Sequence, residues 1–297
     1  MVESTRKLAA PSALLACAWL LGCGPGGPAG RDPLARLASS TPEVRLSPSG
    51  FADVELELTP LRGVEAGTEL ALFVHLIDDG RKVLRTFDLP LEGAWRTGET
   101  LDLRIRIHLS ALVEPPPPGE YRLTVGVYDG LIGRFPVDTE LRRVGKQEFE
   151  AARVRVGERA DSAARFEFGE GWAPEKAVPD LQVIVQRPLE VGGVGQAVFG
   201  PLGGASELWL LLAMPVPGGS DQVLRPAGEP ARFRVSSPCL EAPVDAVGAG
   251  THSVSLRLDP GAGGSCELRF ESNAAVREGT SGRLRAPAVQ VAAWSAR

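Results

Sequence analysis

The sequence predicts an all-β chain: two β-sandwich domains behind a leader and a flexible tether. Three observations lead there. No sustained helical period occurs beyond residue 43. Short runs alternate apolar and polar residues instead, the period of a half-buried strand. The 35 Gly and 25 Pro of the 297 residues, with Asp, break those runs often enough to turn the chain between strands.

The first segment is an address. Arg6 and Lys7 precede an apolar run from Leu8 to Leu21, interrupted only by Pro11 and Ser12. A basic start and a short apolar stretch read as a secretory leader. A spanning helix needs roughly 20 apolar residues, which this run does not supply. The run ends Leu20-Leu21-Gly22-Cys23. That ending resembles the lipobox of bacterial lipoproteins, Leu-x-Gly/Ala-Cys. The resemblance implies lipid attachment to the Cys23 thiol, removal of residues 1–22 and acylation of the new amino terminus. Each buried methylene contributes about 0.8 kcal/mol, so several acyl chains hold firmly. The alternative is an ordinary secretory leader with a chance cysteine. By the sorting rule of the better-known envelopes, Gly24 in place of Asp favours the outer membrane over the inner.

Residues 23–43 follow as the expected tether, rich in Gly, Pro, Ala and Ser, with at most two helical turns in "DPLARLASS". Gly22, Gly24 and Gly27 match G-x-G-x-x-G by spacing, but no strand precedes them and no helix follows. A dinucleotide site is therefore not expected.

Residues 44–157 are expected to form the first sandwich. "DVELELT" sets Val54, Leu56 and Leu58 against Asp53, Glu55 and Glu57. "LALFVHLI" is apolar on both faces and reads as a central strand, and "DDGR" at 78–81 as a hairpin turn. "LDLRIRIHL" turns Leu101, Leu103, Ile105, Ile107 and Leu109 one way and Asp102, Arg104, Arg106 and His108 the other, a strand with one wet face. "EPPPPGEY" prefers extended polyproline geometry before "YRLTVGVYDG" resumes the alternation. Many short strands at this spacing suggest an immunoglobulin-like sandwich.

The stretch "LFVHLIDDGRKV…WRTGETLDLRIRIHL…PPPPGEYRLTVGVYDGLIGRFPV" also resembles the Ig-like accessory module of bacterial membrane glycosyltransferases, over roughly residues 50–157. The catalytic membrane portion of those enzymes has no counterpart here. Residues 158–180 are polar and irregular and read as a linker and the start of the second domain. Residues 181–297 carry a second strand series, among them "SELWLLLAM" and "CELRFES". With "FGEGW" at 168–172, they resemble a jelly-roll, carbohydrate-module-like sandwich.

Net charge is −5, and −6 once residues 1–22 are gone, with both signs interspersed and Arg far outnumbering Lys. That balance points away from nucleic acid as a partner. Of the four cysteines, Cys17 leaves with the leader and Cys23 takes the lipid. Cys239 and Cys266 remain, and in an exported chain they read as a disulfide, the alternative being two separate buried thiols.

No G-x-S-x-G, P-loop, H-E-x-x-H or C-x-x-C is present, so no catalytic residue, cofactor or metal site is expected. His75, His108 and His252 are widely spaced and read as separate strand histidines. Asp78, Asp79 and Asp129 could share a calcium ion, but "DDG" reads first as a turn. Trp95 and Trp172 fall in expected loops and are the candidates for an aromatic face against a glycan, with core packing as the competing role. The functional expectation is a non-catalytic, lipid-anchored envelope protein that binds or scaffolds an envelope protein at the membrane surface. Glycan binding is the alternative, and a hydrolase whose site only the fold assembles comes third.

Overall fold

A computed structural model describes residues 32–64, 68–91, 95–158, 164–177, 185–190, 193–202, 205–258 and 264–296. Among them there is no helix, and the all-β sandwich architecture is the one present. The first half of the chain carries β1 (Ala35–Ser39), β2 (Glu43–Leu46), β3 (Phe51–Pro60), β4 (Leu70–Ile77), β5 (Val83–Thr86) and β6 (Leu89–Pro90). It continues with β7 (Leu101–His108), β8 (Gly119–Asp129), β9 (Gly133–Arg134), β10 (Val137–Asp138), β11 (Arg143–Gly145) and β12 (Glu148–Val156).

One sheet runs β10-β1-β3-β7 and the facing sheet β11-β12-β8-β4-β5, with β2 beside β12. Their inner faces meet in one core that includes Leu37, Leu56, Ile107, Leu72, Leu123 and Val154. The alternation produces this directly: Val54, Leu56 and Leu58 of β3 are buried while Glu55 and Glu57 face water. β4, apolar on both faces, sits between β8 and β5 as a central strand. Most pairings are antiparallel; β1 with β10 and β2 with β12 are parallel.

The second half carries β13 (Arg165–Phe168), β14 (Lys176–Ala177), β15 (Val185–Pro188), β16 (Val194–Gly200), β17 (Ala205–Met214), β18 (Gln222–Leu224) and β19 (Arg232–Ser236). β20 (Val244–Val247), β21 (Gly250–Arg257), β22 (Cys266–Ser272), β23 (Ala275–Arg277), β24 (Leu284–Arg285) and β25 (Ala288–Ala296) complete it. Two five-stranded sheets, β13-β16-β22-β19-β20 and β14-β15-β25-β17-β21, enclose a second core. Phe199, Phe233 and Phe270 are wholly buried there, beside Leu208, Leu210 and Leu212 of β17. A small sheet, β18-β23-β24, lies outside this pair.

Two sequence expectations need correction. The tether does not extend to residue 43. Leu34 is buried just before β1, and within β1 buried Ala35 and Leu37 alternate with exposed Arg36 and Ala38, a strand rather than helical turns. Pairing with β3 and β10 supplies the buried partner surface that the local composition did not reveal. Nor is His108 on a wet face. It lies at the C-terminal end of β7, 1% exposed, its ring 5.1 Å from Phe87 and 4.9 Å from Trp209. The outer face of β7 is solvated at Asp102 and Arg104, but at its far end it is covered by β17.

That covering joins the two halves within one compact unit, Pro33–Arg297. Trp209, Val291 and Ala293 form a small apolar cluster with Phe51 and Leu211 on the outer face of the β25–β17 sheet. The Arg106 guanidinium stacks 4.2 Å over the Phe51 ring. It also donates to Asp53, to Glu207 at 3.4 Å and to Ser255 at 3.3 Å. Two backbone bonds reinforce the seam: Ala111 N–H to Ala292 O at 2.7 Å, and Trp294 N–H to Ser49 O at 3.0 Å.

Candidate functional site

Cys23 lies outside the described residues. Cys239 and Cys266 form a disulfide with Cα atoms 5.8 Å apart. Cys266 opens β22, and Cys239 follows β19, the strand hydrogen-bonded to β22, so neighbouring strand ends bring the sulfurs together. The Ser237 hydroxyl lies 3.1 Å from each sulfur and accepts the Cys239 N–H.

Both candidate tryptophans are half-buried packing residues. Trp95 packs against the first core and donates its indole N–H to Arg62 O at 2.9 Å. Trp172 lies edge-on to Phe168 and Phe270, with ring centroids 4.8 and 5.0 Å away, and donates to Gln196 O at 2.7 Å. A Cβ on Gly195 would come within 2.6 Å of the Trp172 ring, so that glycine makes the seat for the indole. "FGEGW" thus closes against β16 rather than standing out as a platform.

The histidines do not converge. His75 on β4 has Nε2 3.6 Å from Asp88 Oδ1, and burial pushes its pKa down. His108 has no hydrogen-bond partner for either ring nitrogen; burial first, then Arg85 and Arg106, push its pKa down to about 3. His252, on β21, has Nε2 3.1 Å from Gly248 O. Nor do the three aspartates meet. Asp78 shapes the expected hairpin turn, accepting the Lys82 N–H at 2.8 Å, and Asp79 pairs with Arg122 at 3.0 Å. Asp129 stands at the other end of the β4–β8 pair, opposite Leu70. Among the described residues no group of three or more His, Cys, Asp or Glu is placed to hold a metal ion.

One open recess lies beside the four prolines. A groove of about 790 Å³ is lined by Pro115–Pro118, Leu84 and Tyr121, with Asp78, Lys82, Arg85 and Glu114 also on its wall. Consecutive prolines fix φ and lack N–H donors, which makes this wall stiff and leaves its carbonyls to accept. Tyr121 secures it from below, donating its hydroxyl to Pro117 O at 2.5 Å. Such a tyrosine, at the start of a strand and bonded back to the chain just upstream, is a feature of Ig-type sandwiches. Burial, then the neighbouring Asp78, raises the Tyr121 pKa, so the phenol stays a donor. The sequence showed the prolines as an extended connector; that they line a groove with Lys82 and Arg85 depends on the β4–β5 hairpin folding beside them.

No family model matches the chain, and no curated protein matches it. Among solved structures, a transglutaminase from red sea bream aligns at 12% identity with a TM-score of 0.24. That alignment covers 86% of this chain and 31% of the transglutaminase chain.

Proposed function

We infer that this chain is a lipid-anchored envelope protein that binds or scaffolds a partner at the membrane surface, without chemistry of its own. The lipobox-like Leu20-Leu21-Gly22-Cys23 supports the anchor. The proline-walled groove carries the binding reading. It offers a preformed apolar wall beside charges of both signs, which suits an extended segment of a partner protein. A rigid wall loses little entropy when it is covered, so a modest contact area can hold.

The test has two arms. Intact mass of the chain from its native membrane should equal residues 23–297 plus acyl groups; a mass retaining residues 1–22 would remove the anchor. A photo-crosslinking residue in place of Glu114, on the groove wall, should give a reproducible protein adduct in the envelope, and one in place of exposed Glu57 should not. Equal labelling from both positions would count against the groove.

A further inference from the structure

Strand register gathers several chain segments at one end of the first sheet pair. β1 starts there, with Ala35 opposite Pro60 of β3 and Val137 of β10. Leu34 donates its N–H to Pro136 O at 2.8 Å, and Leu61 donates to Leu34 O at 3.0 Å. β8 ends there too, Asp129 opposite Leu70, before the chain turns through Gly130–Gly133 into β9. The opposite end holds Phe51 and His108, paired across β3 and β7, and is covered by the second half.

At the tip of the β8–β9 turn Leu131 is 99% exposed and Ile132 53%. The turn is braced. Asp129 Oδ1 accepts the N–H groups of Leu131 at 2.7 Å and Ile132 at 2.9 Å, while Oδ2 accepts that of Glu69 at 3.1 Å. Those bonds hold its carboxyl below the usual range, so the brace stays ionised. A single exposed leucine needs no explanation; two adjacent large aliphatic side chains held out on a stiffened turn present a contact surface.

The position of the chain's entrance selects the occupant. The described fold begins at this same end, with Pro33 ten residues after Cys23. Ten residues reach at most about 36 Å when fully extended. A lipid on Cys23 would enter at this end, and the end with Phe51 is covered by the second half, so this is the end left free to face the bilayer. We propose that the Leu131–Ile132 tip inserts into the lipid surface as a second contact beside the acyl anchor. This rests on Cys23 bearing lipid. Among the described residues Arg62 and Arg96 share the end with Asp32, Glu69 and Glu99, so no basic patch adds to the apolar contact of the tip.

The test places a fluorophore on Leu131→Cys, and separately on Ile132→Cys, in the full chain reconstituted into vesicles. One vesicle set is phosphatidylcholine alone; the other adds phosphatidylglycerol. Both probes should shift to the blue and lose most of their emission to a spin-labelled lipid, equally in the two sets. A probe on Thr251→Cys, exposed on β21, should not. Emission at 131 and 132 that spin-labelled lipid leaves unchanged would overturn the proposal. So would a blue shift without that quenching, which would assign the tip to protein contact, or quenching confined to the anionic vesicles. The anchor is read separately: the parent chain takes up thiol label only if Cys23 is unacylated or the leader with Cys17 is retained, and either outcome overturns the reading of Cys23 by itself.

Discussion

Arg106 and Glu207, 101 positions apart in sequence, meet at 3.4 Å, where the outer face of β7 joins the sheet of β17 and β25. The same guanidinium covers Phe51 and, with Arg104, binds Asp53. The Arg106 hydrogen bond, and after it that of Arg104, holds the Asp53 carboxyl below its ordinary range against the pull of burial. One side chain therefore seals the apolar seam and neutralises the charge beside it.

Arg106→Met keeps an aliphatic stem over Phe51 but removes every donor. It should destabilise the chain by about 1–3 kcal/mol, because Asp53 and Glu207 lose charged partners. Glu207→Gln should cost less than about 1 kcal/mol, since that pair is partly exposed. Urea unfolding of the two variants measures both, and equal losses would make Glu207, not Asp53, the main partner of Arg106.

His108 gives stability a pH dependence of definite sign. Its imidazole would titrate near 6.5 unfolded and near 3 folded, so the unfolded chain takes the proton first. This contribution is intact above about pH 6.5, is lost as pH falls from there towards 3, and then levels off. The full loss is on the order of 5 kcal/mol. His108→Phe should flatten the fall of melting temperature between those limits; an unchanged slope would show that other groups set it.

Replacing Cys239 and Cys266 together by alanine should cost about 3–4 kcal/mol on the chain-entropy account of a 27-residue separation. Denaturant midpoints of the intact and doubly substituted chains read this directly. The intact chain should also gain two hydrogens in mass on reduction.

Trp172→Ala should lower stability by about 3 kcal/mol, because an indole seated between Phe168 and Phe270 leaves a cavity behind. Gly195→Ala should destabilise as well, by driving a methyl into that ring. Thermal unfolding checks both. A Trp172→Ala chain that melts like the parent would restore the ring as a candidate surface group.

The parts of the fold that a two-residue period describes were legible in the sequence. β3, β4 and the hairpin at Asp78 follow from their own residues, and so does the disulfide once two cysteines are set aside. What could not be read depends on partners distant in sequence. β1 has only two buried apolar positions, Ala35 and Leu37, and β3 and β10 make it a strand. His108 continues the polar face of β7, and Phe87 and Trp209 together bury it. The Leu131–Ile132 tip had a visible signal, two large aliphatics between Gly130 and Gly133, but its brace by Asp129 and its place beside Leu34 come from sheet register. The groove was half visible, as prolines without their opposing wall.

β25 is the central strand of its sheet, between β15 and β17, and Trp294 near its end belongs to the second core. It also supplies Val291 and Ala293 to the seam and the carbonyl that accepts from Ala111. During synthesis every one of its partners leaves the ribosome before it does. The strands of the first sheet pair can close early, while the second must wait with its middle place empty until residue 296 has emerged. Until then the Phe51 end of the first pair lacks Val291, Ala293 and the Ala292 carbonyl of its seam. The last described strand is therefore the step on which maturation of both halves converges, and a chain broken off before it would expose the apolar surface that chaperones and proteases recognise.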